Sequence, residues 1–340
     1  MPVRVPRLPN VTIGLLATIG VASAQEAKIP RNIVIYIAGG AGSGMDIYAR
    51  ILAPHMAKHI SPDTVITVQA MPGAGGIRAA TFMAQTAPKD GSAMATFPSG
   101  PIVEPLVGAR KPGYDMSQFH WIGAMSRDVT ICVSWADSKF HTLDDARHGE
   151  MILAGTGAGS ETDTIPLVLN DVLKTRFRVV SGYQTTRDTL MAMERGEVNG
   201  RCGISYSSLK AARPDWLLEK KAQILLQIGA EKNSELPEVP LASQIIPKPE
   251  DVQALELLTG ATSINRPFAV PPGTPAATVA VLRKAFDAAM ADPALLKEVR
   301  TMDADISPTS GVDVQRIIMK LYATPASIVE RTRRLVEARN

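Results

Sequence analysis

Residues 32–46 read NIVIYIAGGAGSGMD, an apolar run followed at once by a glycine-rich segment. The apolar run predicts a strand, and MDIYARILAPHMAKHI after the glycines predicts a helix that Pro54 bends or ends. Glycine lets backbone N–H groups approach a ligand closely, and the N-terminus of a helix attracts negative charge. The stretch therefore predicts an α/β fold with an anion site at a strand-to-helix turn.

Nucleotides fit this turn poorly. A dinucleotide fingerprint needs a third glycine where Met45 stands, and an acidic residue at the end of the second strand, which ends in Gln69. A nucleotide-phosphate loop needs a lysine at the position of Met45 as well. Both patterns fail, so a small carboxylate is the remaining candidate.

Two further glycine-rich turns follow, MPGAGG at 71–76 and GTGAGS at 155–160. Any one of these turns can equally be a tight turn without a ligand. Three of them, distributed over two halves of the chain, favour a shared site in which main-chain donors hold a carboxylate. The sequence thus predicts an anion site built locally by backbone groups.

The chain alternates short β-rich runs with longer amphipathic runs, which predicts α/β architecture with mainly parallel sheets. Its length predicts two lobes. We expect residues 25–128 plus about 236–340 to form the first lobe and about 129–235 the second. The proline-rich segment LPEVPLASQIIPKP at 236–249 would mark the return crossing between them.

The N-terminus has the pattern of an export signal. Arg4 and Arg7 precede the apolar run VTIGLLATIGVA, and ASA precedes Gln25, so we expect cleavage after Ala24. The alternative is an N-terminal membrane anchor, but the apolar run is too short to span a bilayer. Cleavage would leave 316 residues of an exported, soluble protein.

The charge balance limits the partners. Loss of residues 1–24 removes Arg4 and Arg7 and lowers the formal net charge from +3 to +1. A nearly neutral surface offers no electrostatic footprint for nucleic acid or for anionic lipid. We therefore expect neither as a partner.

The chain has two cysteines, Cys132 and Cys202, each in an apolar strand-like segment. They form a disulfide if the two strands are neighbours, and otherwise remain buried thiols; the sequence leaves both possibilities open. Two cysteines alone supply too few ligands for a metal site.

Seven segments, in this order, resemble the substrate-binding receptors of tripartite tricarboxylate transporters, the TctC or Bug family. They are GGAGSGMDIYARILAPHM, VQAMPGAGGIRAA, APKDGSAMATF, GTGAGS, GYQTTRDTLMAMERGEVNG, LPEVP and FAVPPGTP. Each is weak alone, but their order and spacing cover nearly the whole chain after residue 24.

The resemblance implies a periplasmic, non-catalytic receptor with a two-lobed periplasmic-binding-protein fold of the Venus-flytrap, type II-like kind. It implies a monomer without cofactor or metal that captures a small organic carboxylate between the lobes and delivers it to membrane permease subunits. Carried onto this chain, the expected ligand-binding residues are Gly39, Gly40, Ala41, Gly42, Ser43, Gly44, Asp46, Pro72, Gly73, Ala74, Gly75, Ser99, Thr156, Ser160, Tyr183 and Thr185. Of these, Asp46 is expected to cap its helix or orient water, because like charges repel.

The chain departs from the family pattern at three positions. Family members often carry Asn at the position of Ala70, His at that of Asp163 and Asp at that of Asn199. The first change removes a side-chain amide and the second introduces an acid near the expected cleft. Both affect which carboxylate is bound more than whether one is bound.

Two other functions are alternatives to a transport receptor, namely a periplasmic metal-assisted enzyme and a ligand-presenting sensor. A periplasmic metal-assisted enzyme could use Asp163 with His55 and His59, which are spaced i, i+4, but Met56 replaces the glutamate of the H-E-x-x-H pattern. Ser99, Ser160 and Ser205 lack the G-x-S-x-G elbow. A ligand-presenting sensor would use the same receptor as transport does, and sequence does not separate the two.

Three arginines are candidates for clamping a second carboxylate, because a guanidinium binds a carboxylate through two hydrogen bonds. They are Arg127, Arg187 and Arg201. The alternative for each is an ion-paired or solvated position on the surface.

Overall fold

The structure is a computed structural model and describes Met1 and residues 29–108, 111–157, 160–229, 231–301 and 306–337. The predicted export signal, apart from Met1, and its cleavage site lie outside the described residues. Within the described ranges, no helix is both long enough and apolar enough to cross a membrane.

The strands belong to two separate sheets. In chain order they are β1 (Asn32–Ile37), β2 (Val65–Ala70), β3 (Ala93–Thr96), β4 (His120–Ser126), β5 (Thr130–Trp135), β6 (Met151–Ala154), β7 (Phe177–Val180), β8 (Gly200–Ser205), β9 (Ala222–Ile228), β10 (Asn265–Val270) and β11 (Thr309–Ser310). The first sheet has the order β11-β4-β10-β3-β1-β2 and the second the order β7-β6-β8-β5-β9.

Helices follow most strands and cover the sheets. They are α1 (Gly44–Ile60), α2 (Ile77–Gln85), α3 (Ser99–Val107), α4 (Leu143–His148), α5 (Glu161–Val172), α6 (Thr186–Glu194), α7 (Tyr206–Ala212), α8 (Pro214–Leu218), α9 (Ala242–Ile245), α10 (Pro249–Thr259), α11 (Ala276–Met290), α12 (Pro293–Thr301), α13 (Gly311–Tyr322) and α14 (Ala326–Glu337). Short 3-10 helices lie at Ala74–Gly76, Met116–Gln118 and Gly260–Ile264.

The two-lobed α/β prediction is confirmed, but the expectation of mainly parallel sheets is wrong. In the first sheet β1 pairs in parallel with β2 and β3, whereas β10 runs antiparallel to both β3 and β4. In the second sheet β5 runs antiparallel to β8 and β9. Each of these antiparallel pairs contains a strand next to a crossing between the lobes, that is β4, β5, β9 or β10. The crossings therefore reverse the strand direction.

The first lobe is built around β1. Its alternate residues Ile33, Ile35 and Ile37 are almost fully buried and pack with Tyr48 and Leu52 of α1. α1 continues through Pro54 to Ile60, so this proline neither ends the helix nor limits its length.

A second apolar cluster joins the lobes. α10 and α14 each contact α5 of the second lobe and α3 of the first, and buried residues such as Ile165, Leu258 and Ile102 belong to the same cluster. The lobes are therefore connected by packed helices as well as by the chain crossings at residues 127–129 and near Asn265. The exact lobe boundaries predicted from sequence stay predictions.

The two cysteines lie opposite each other on β5 and β8 and form a disulfide, which settles the alternative left open by the sequence. Both are almost fully buried. The bond joins two adjacent inner strands of the second sheet. The loop of chain that it closes includes α4, α5 and α6.

We expect the double substitution Cys132→Ala and Cys202→Ala to lower the free energy of unfolding by about 3 kcal/mol, because the unfolded chain regains the entropy of an open loop. Urea denaturation of the native and double-variant proteins, monitored by circular dichroism, measures this loss. Equal transition midpoints under non-reducing conditions would contradict the expectation.

Candidate functional site

A cavity of about 170 Å³ lies between the lobes. Its first-lobe lining includes Ser43, Gly44, Phe97, Ser99, Asn265 and Arg266, and its second-lobe lining includes Thr130, Glu161, Thr186, Arg201, Gly203, Ser205 and Ser208. Asp128, in the crossing segment, also borders it. Of the residues predicted for the ligand site, Ser43, Gly44 and Ser99 line this cavity.

The first glycine-rich turn connects β1 to α1 and is held by its own helix. Ser43 is the N-cap of α1, and its hydroxyl accepts a hydrogen bond from the Asp46 N–H. The Asp46 carboxylate accepts from the Gly42 N–H at 2.8 Å and from Arg50 Nε at 2.9 Å. Asp46 thus fixes the shape of the turn, and its carboxylate is engaged within the first lobe.

The second turn needs glycine for a packing reason. Gly76 has φ +102°, and an added Cβ there would lie 2.8 Å from the Pro101 side chain and 3.2 Å from Ala38. Gly73 and Gly75 also have positive φ. Glycine therefore allows this turn to lie closely against the end of β1 and the start of α3.

The turn of the second lobe is organised by Asp163. Its carboxylate accepts hydrogen bonds from the Gly157 N–H at 3.2 Å and the Ser160 hydroxyl at 3.1 Å, and also from the Ser181 hydroxyl. Thr156 donates its N–H to the Thr162 hydroxyl at 2.8 Å. Asp163 thus closes this turn much as Asp46 closes the first; residues 158 and 159 lie outside the described ranges.

The GYQTT segment ends at the start of α6. Thr185 is the N-cap, and its side chain and that of Asp188 form a reciprocal capping box. The Tyr183 N–H donates to the Gly155 carbonyl at 3.2 Å, which ties this segment to the preceding turn.

Turns from opposite lobes approach each other next to the cavity. A Cβ added at Gly40 would lie 3.6 Å from Thr185 Cγ2, and one added at Gly75 would lie 3.9 Å from Ser160 Cβ. The predicted residues outside the cavity lining are Gly39, Gly40, Ala41, Gly42, Asp46, Pro72, Gly73, Ala74, Gly75, Thr156, Ser160, Tyr183 and Thr185. The structure thus brings turns of the two lobes close together, while most of the predicted residues lie outside the lining of the cavity.

Four charged residues line the cavity and are together called its floor: Asp128, Glu161, Arg201 and Arg266. Arg201 is 4% exposed, donates to the Thr189 hydroxyl and to the Gly203 carbonyl, and has a pKa lowered to about 10 by burial. Burial raises the pKa of Glu161 to about 7, although Ser99 and Arg201 act in the opposite direction. Arg201 and Glu161 lie on neighbouring elements of the second lobe and carry opposite charges.

Of the three arginines predicted as clamps, only Arg201 lines the cavity. Arg127 donates its Nε to the Thr309 hydroxyl at 3.3 Å, at the edge of the first sheet. Arg187 is exposed on α6.

Sequence reasoning missed Glu161, Asp128 and Arg266. Arg266 is 3% exposed, stacks on Tyr48 with its guanidinium carbon 3.8 Å from the ring centroid, and has φ +55°. The segment SINRPF around it carries no motif that signals a cleft residue. Glu161, in contrast, directly follows the predicted Ser160, so its position at the start of a helix was readable.

The residues of the enzymatic alternative do not come together. His55 contacts Asp292 at 3.2 Å and Glu298 at 3.0 Å, whereas Asp163 contacts the turn of the second lobe. His59 approaches Asp292 at 3.8 Å. In the described part of the chain, no group of three or more His, Cys, Asp or Glu side chains could hold a metal ion.

Glu161 makes stability depend on pH. A carboxyl whose pKa is raised in the folded state contributes stability that is present below its ordinary pKa of 4.5 and lost as the pH rises through about 7. We expect native protein to lose up to about 3 kcal/mol of unfolding free energy from this group between pH 5 and pH 8, and Glu161→Gln to lack this loss. Urea denaturation across that range tests it; parallel pH profiles of the two proteins would contradict it.

Comparison with known proteins gives the family. Residues 48–335 match the family described as "Tripartite tricarboxylate transporter family receptor". A UPF0065 protein of Bordetella bronchiseptica is 24% identical over 310 residues, which cover 89% of this chain and 87% of that protein.

Two solved structures share the fold. MatC from Rhodopseudomonas palustris, determined with bound malate, superposes with a TM-score of 0.69 at 21% identity, over 90% of this chain and 99% of that one. The periplasmic binding protein BugD superposes with a TM-score of 0.68 at 19% identity, over 89% and 97%. The match over most of the chain, together with this fold, shows that the protein belongs to the tripartite tricarboxylate transporter receptor family, the TctC or Bug family.

Proposed function

We propose that the protein is an extracytoplasmic solute-binding receptor that captures a small organic carboxylate between its lobes and delivers it to membrane permease subunits. One observation carries the proposal. The first residues of four helices, Gly44, Ser99, Glu161 and Thr186, line a single cavity between the lobes.

Helix N-termini are suited to this task because their first N–H groups have no partner within the helix, and the helix dipole adds positive potential. Two of the helices, α1 and α3, belong to the first lobe, and α5 and α6 belong to the second. An anion in the cavity would therefore be stabilised from both sides, and its binding favours the closed arrangement of the lobes.

The family and its members support the nature of the ligand. The family is one of transporter receptors, and MatC was determined with malate, a dicarboxylate. By extension, closure of the lobes around a carboxylate would create the surface that the permease recognises. We place the protein in the periplasm, on the basis of the export signal predicted at residues 1–24 and the likeness to the periplasmic BugD.

The proposed ligand-contacting groups are backbone N–H groups of the two first-lobe turns, Gly39–Asp46 and Pro72–Gly76, and the polar groups facing them. The N–H groups of Gly42, Ser43, Asp46 and Gly76 are excluded, because they donate within the turns. The proposal contains no catalytic step. The acid that an enzymatic role would need, Asp163, is engaged in hydrogen bonds that shape its own turn.

Calorimetric titration and thermal-shift screening of the purified protein without residues 1–24 test the proposal. The panel comprises mono-, di- and tricarboxylates, with ATP and zinc chloride as comparisons. We expect at least one carboxylate to bind with a micromolar or lower Kd and to raise Tm, because a ligand that binds only the folded state stabilises it. Stabilisation by ATP or zinc with no response to any carboxylate would refute the proposal.

A further inference from the structure

The floor of the cavity holds polar atoms whose hydrogen-bonding capacity is unused by the protein. Oε1 of Glu161 and Nε of both Arg201 and Arg266 are buried and have no hydrogen-bond partner among the described residues. All three side chains line the same cavity. A buried acceptor without a donor is costly, so Glu161 is a place where a bound molecule could supply the missing hydrogen bond.

We propose, on the basis of the receptor function above, that Glu161 selects a monocarboxylate whose opposite end carries a neutral hydrogen-bond donor, a hydroxyl or a carboxamide. The carboxylate of the ligand lies at the N-termini of α1 and α6, and its neutral donor group faces Oε1 of Glu161 at the start of α5. The ligand thereby satisfies both the anion site and the buried acceptor.

The charges around the floor favour a neutral group at this end. Glu161 and Asp128 present two carboxyl groups to the cavity, and Arg201 and Arg266 present two guanidinium groups, so the formal charges of the floor balance. A second carboxylate or an ammonium on the ligand would add a charge that nothing in the floor compensates. A hydroxyl or an amide donates to Glu161 without adding such a charge.

The carboxyl group of Asp128 is already engaged, and the two arginines have partners for both terminal nitrogens but not for Nε. Asp128 accepts at Oδ2 from the Ser207 N–H at 3.0 Å and from Asn265 Nδ2 at 3.1 Å, and at Oδ1 from the Val129 N–H at 2.8 Å. Arg266 donates to the Ser126 hydroxyl at 2.8 Å and to the Ser207 hydroxyl at 2.9 Å. Glu161 therefore differs from Asp128 in having one carboxylate oxygen left for a ligand.

Glu161 is also positioned to sense closure of the lobes. It is the first residue of α5 in the second lobe, yet the hydroxyl of Ser99, the first residue of α3 in the first lobe, lies close enough to affect its pKa. A ligand that reaches Glu161 is thus in contact with both sides of the cleft.

Matched ligands test the proposal. The half-amides succinamate, glutaramate and adipamate are compared by calorimetry with succinate, glutarate and adipate, so that each pair differs only at one end and chain length is varied separately. The ω-hydroxy acids, the ω-amino acids and the unsubstituted acids of four to six carbons complete the set. All titrations are made at pH 8, at which Glu161 is mostly ionised.

For the best chain length, we expect the half-amide or the hydroxy acid to bind at least about 10-fold more tightly than the diacid, the amino acid and the unsubstituted acid. In Glu161→Gln we expect this preference over the diacid to fall to about 3-fold or less, because Gln carries no charge to repel a carboxylate. The control Glu150→Gln removes an exposed carboxylate of the same lobe, which pairs with Arg178 at 2.9 Å, and should keep the native ranking.

Several results overturn the inference while leaving the receptor function standing. They are tighter binding of diacids than of half-amides by native protein at pH 8, tighter binding of amino acids, or an unchanged ranking in a folded Glu161→Gln variant. Absence of binding by every acid in the set and in the broader carboxylate panel is a different result, since it refutes the receptor function itself. Thermal unfolding of each variant establishes that it is folded.

Discussion

Arg266→Met is expected to lower the free energy of unfolding by about 4 kcal/mol and to loosen the closed arrangement of the lobes. The guanidinium of Arg266 donates to Ser126 of the first lobe and to Ser207 and Ser208 of the second at 2.8, 2.9 and 3.3 Å. Hydrogen bonds to a charged group contribute about 1.5 to 3 kcal/mol each and are not additive, and their loss deprives the buried Ser126 hydroxyl and the half-buried Ser207 hydroxyl of this donor. Met keeps most of the apolar contact with Tyr48, so the change mainly removes the polar bridge.

Urea denaturation measures the stability of Arg266→Met, and small-angle X-ray scattering measures the separation of the lobes. We expect the radius of gyration without ligand to increase, since the bonds between β10 and α7 are lost. Arg127→Met is the matched control, because Arg127 lies in the crossing segment but is exposed and bonds only within the first lobe. If the two variants were equally stable and equally compact, Arg266 would not be the bridge that we infer.

Much of the fold could be predicted because it depends on local patterns. The apolar run of β1 and the glycines after it act over a few residues, and α1 begins where these signals end. Local signals were less reliable at prolines. Pro54 was expected to bend or end its helix, but α1 continues through it to Ile60.

Strand pairing was harder to predict, because it depends on residues far apart in the chain. β10, in the segment NRPFAV, reaches its place between β3 and β4 only after the chain has passed through the whole second lobe. No local pattern records that return. The antiparallel pairs, and hence the mixed sheets, follow from the crossings.

The candidate site also combines residues that local sequence patterns predict with residues that only the packing of distant segments brings together. The glycine-rich turns were predicted from local sequence and resemblance, and only Ser43, Gly44 and Ser99 of the predicted residues line the cavity. Its floor is assembled from the crossing at Asp128, the start of α5, the strand β8 and the return strand β10. Arg201 could be considered from sequence only as one of three arginines. Burial, which alters the pKa of Glu161 and makes Arg266 a bridge, arises only when these elements pack together.

Gly203→Ala is expected to lower the free energy of unfolding by about 2 to 4 kcal/mol, for two separable reasons. Gly203 has φ +75°, a conformation that costs an alanine about 1 kcal/mol. An added Cβ would also lie 2.7 Å from the backbone of Glu161 and Thr162. Backbone atoms cannot rotate away as a side chain does, so α5 would have to shift from β8, and overpacking of this kind costs about 1 to 3 kcal/mol.

Gly196→Ala separates the two reasons. Gly196 has a nearly equal φ of +70° in the same lobe, but an added Cβ there meets nothing within 4 Å, so we expect it to lose only the conformational cost of about 1 kcal/mol. Because the shift of α5 would displace Glu161, Gly203→Ala should also weaken ligand binding, whereas Gly196→Ala should not. Urea denaturation and calorimetric titration of both variants give the two comparisons. Similar losses of unfolding free energy and of ligand affinity in the two variants would contradict the expectation. They would mean that α5 shifts at little cost, so that the close approach of β8 to the N-terminus of α5 does not hold the cavity floor in place.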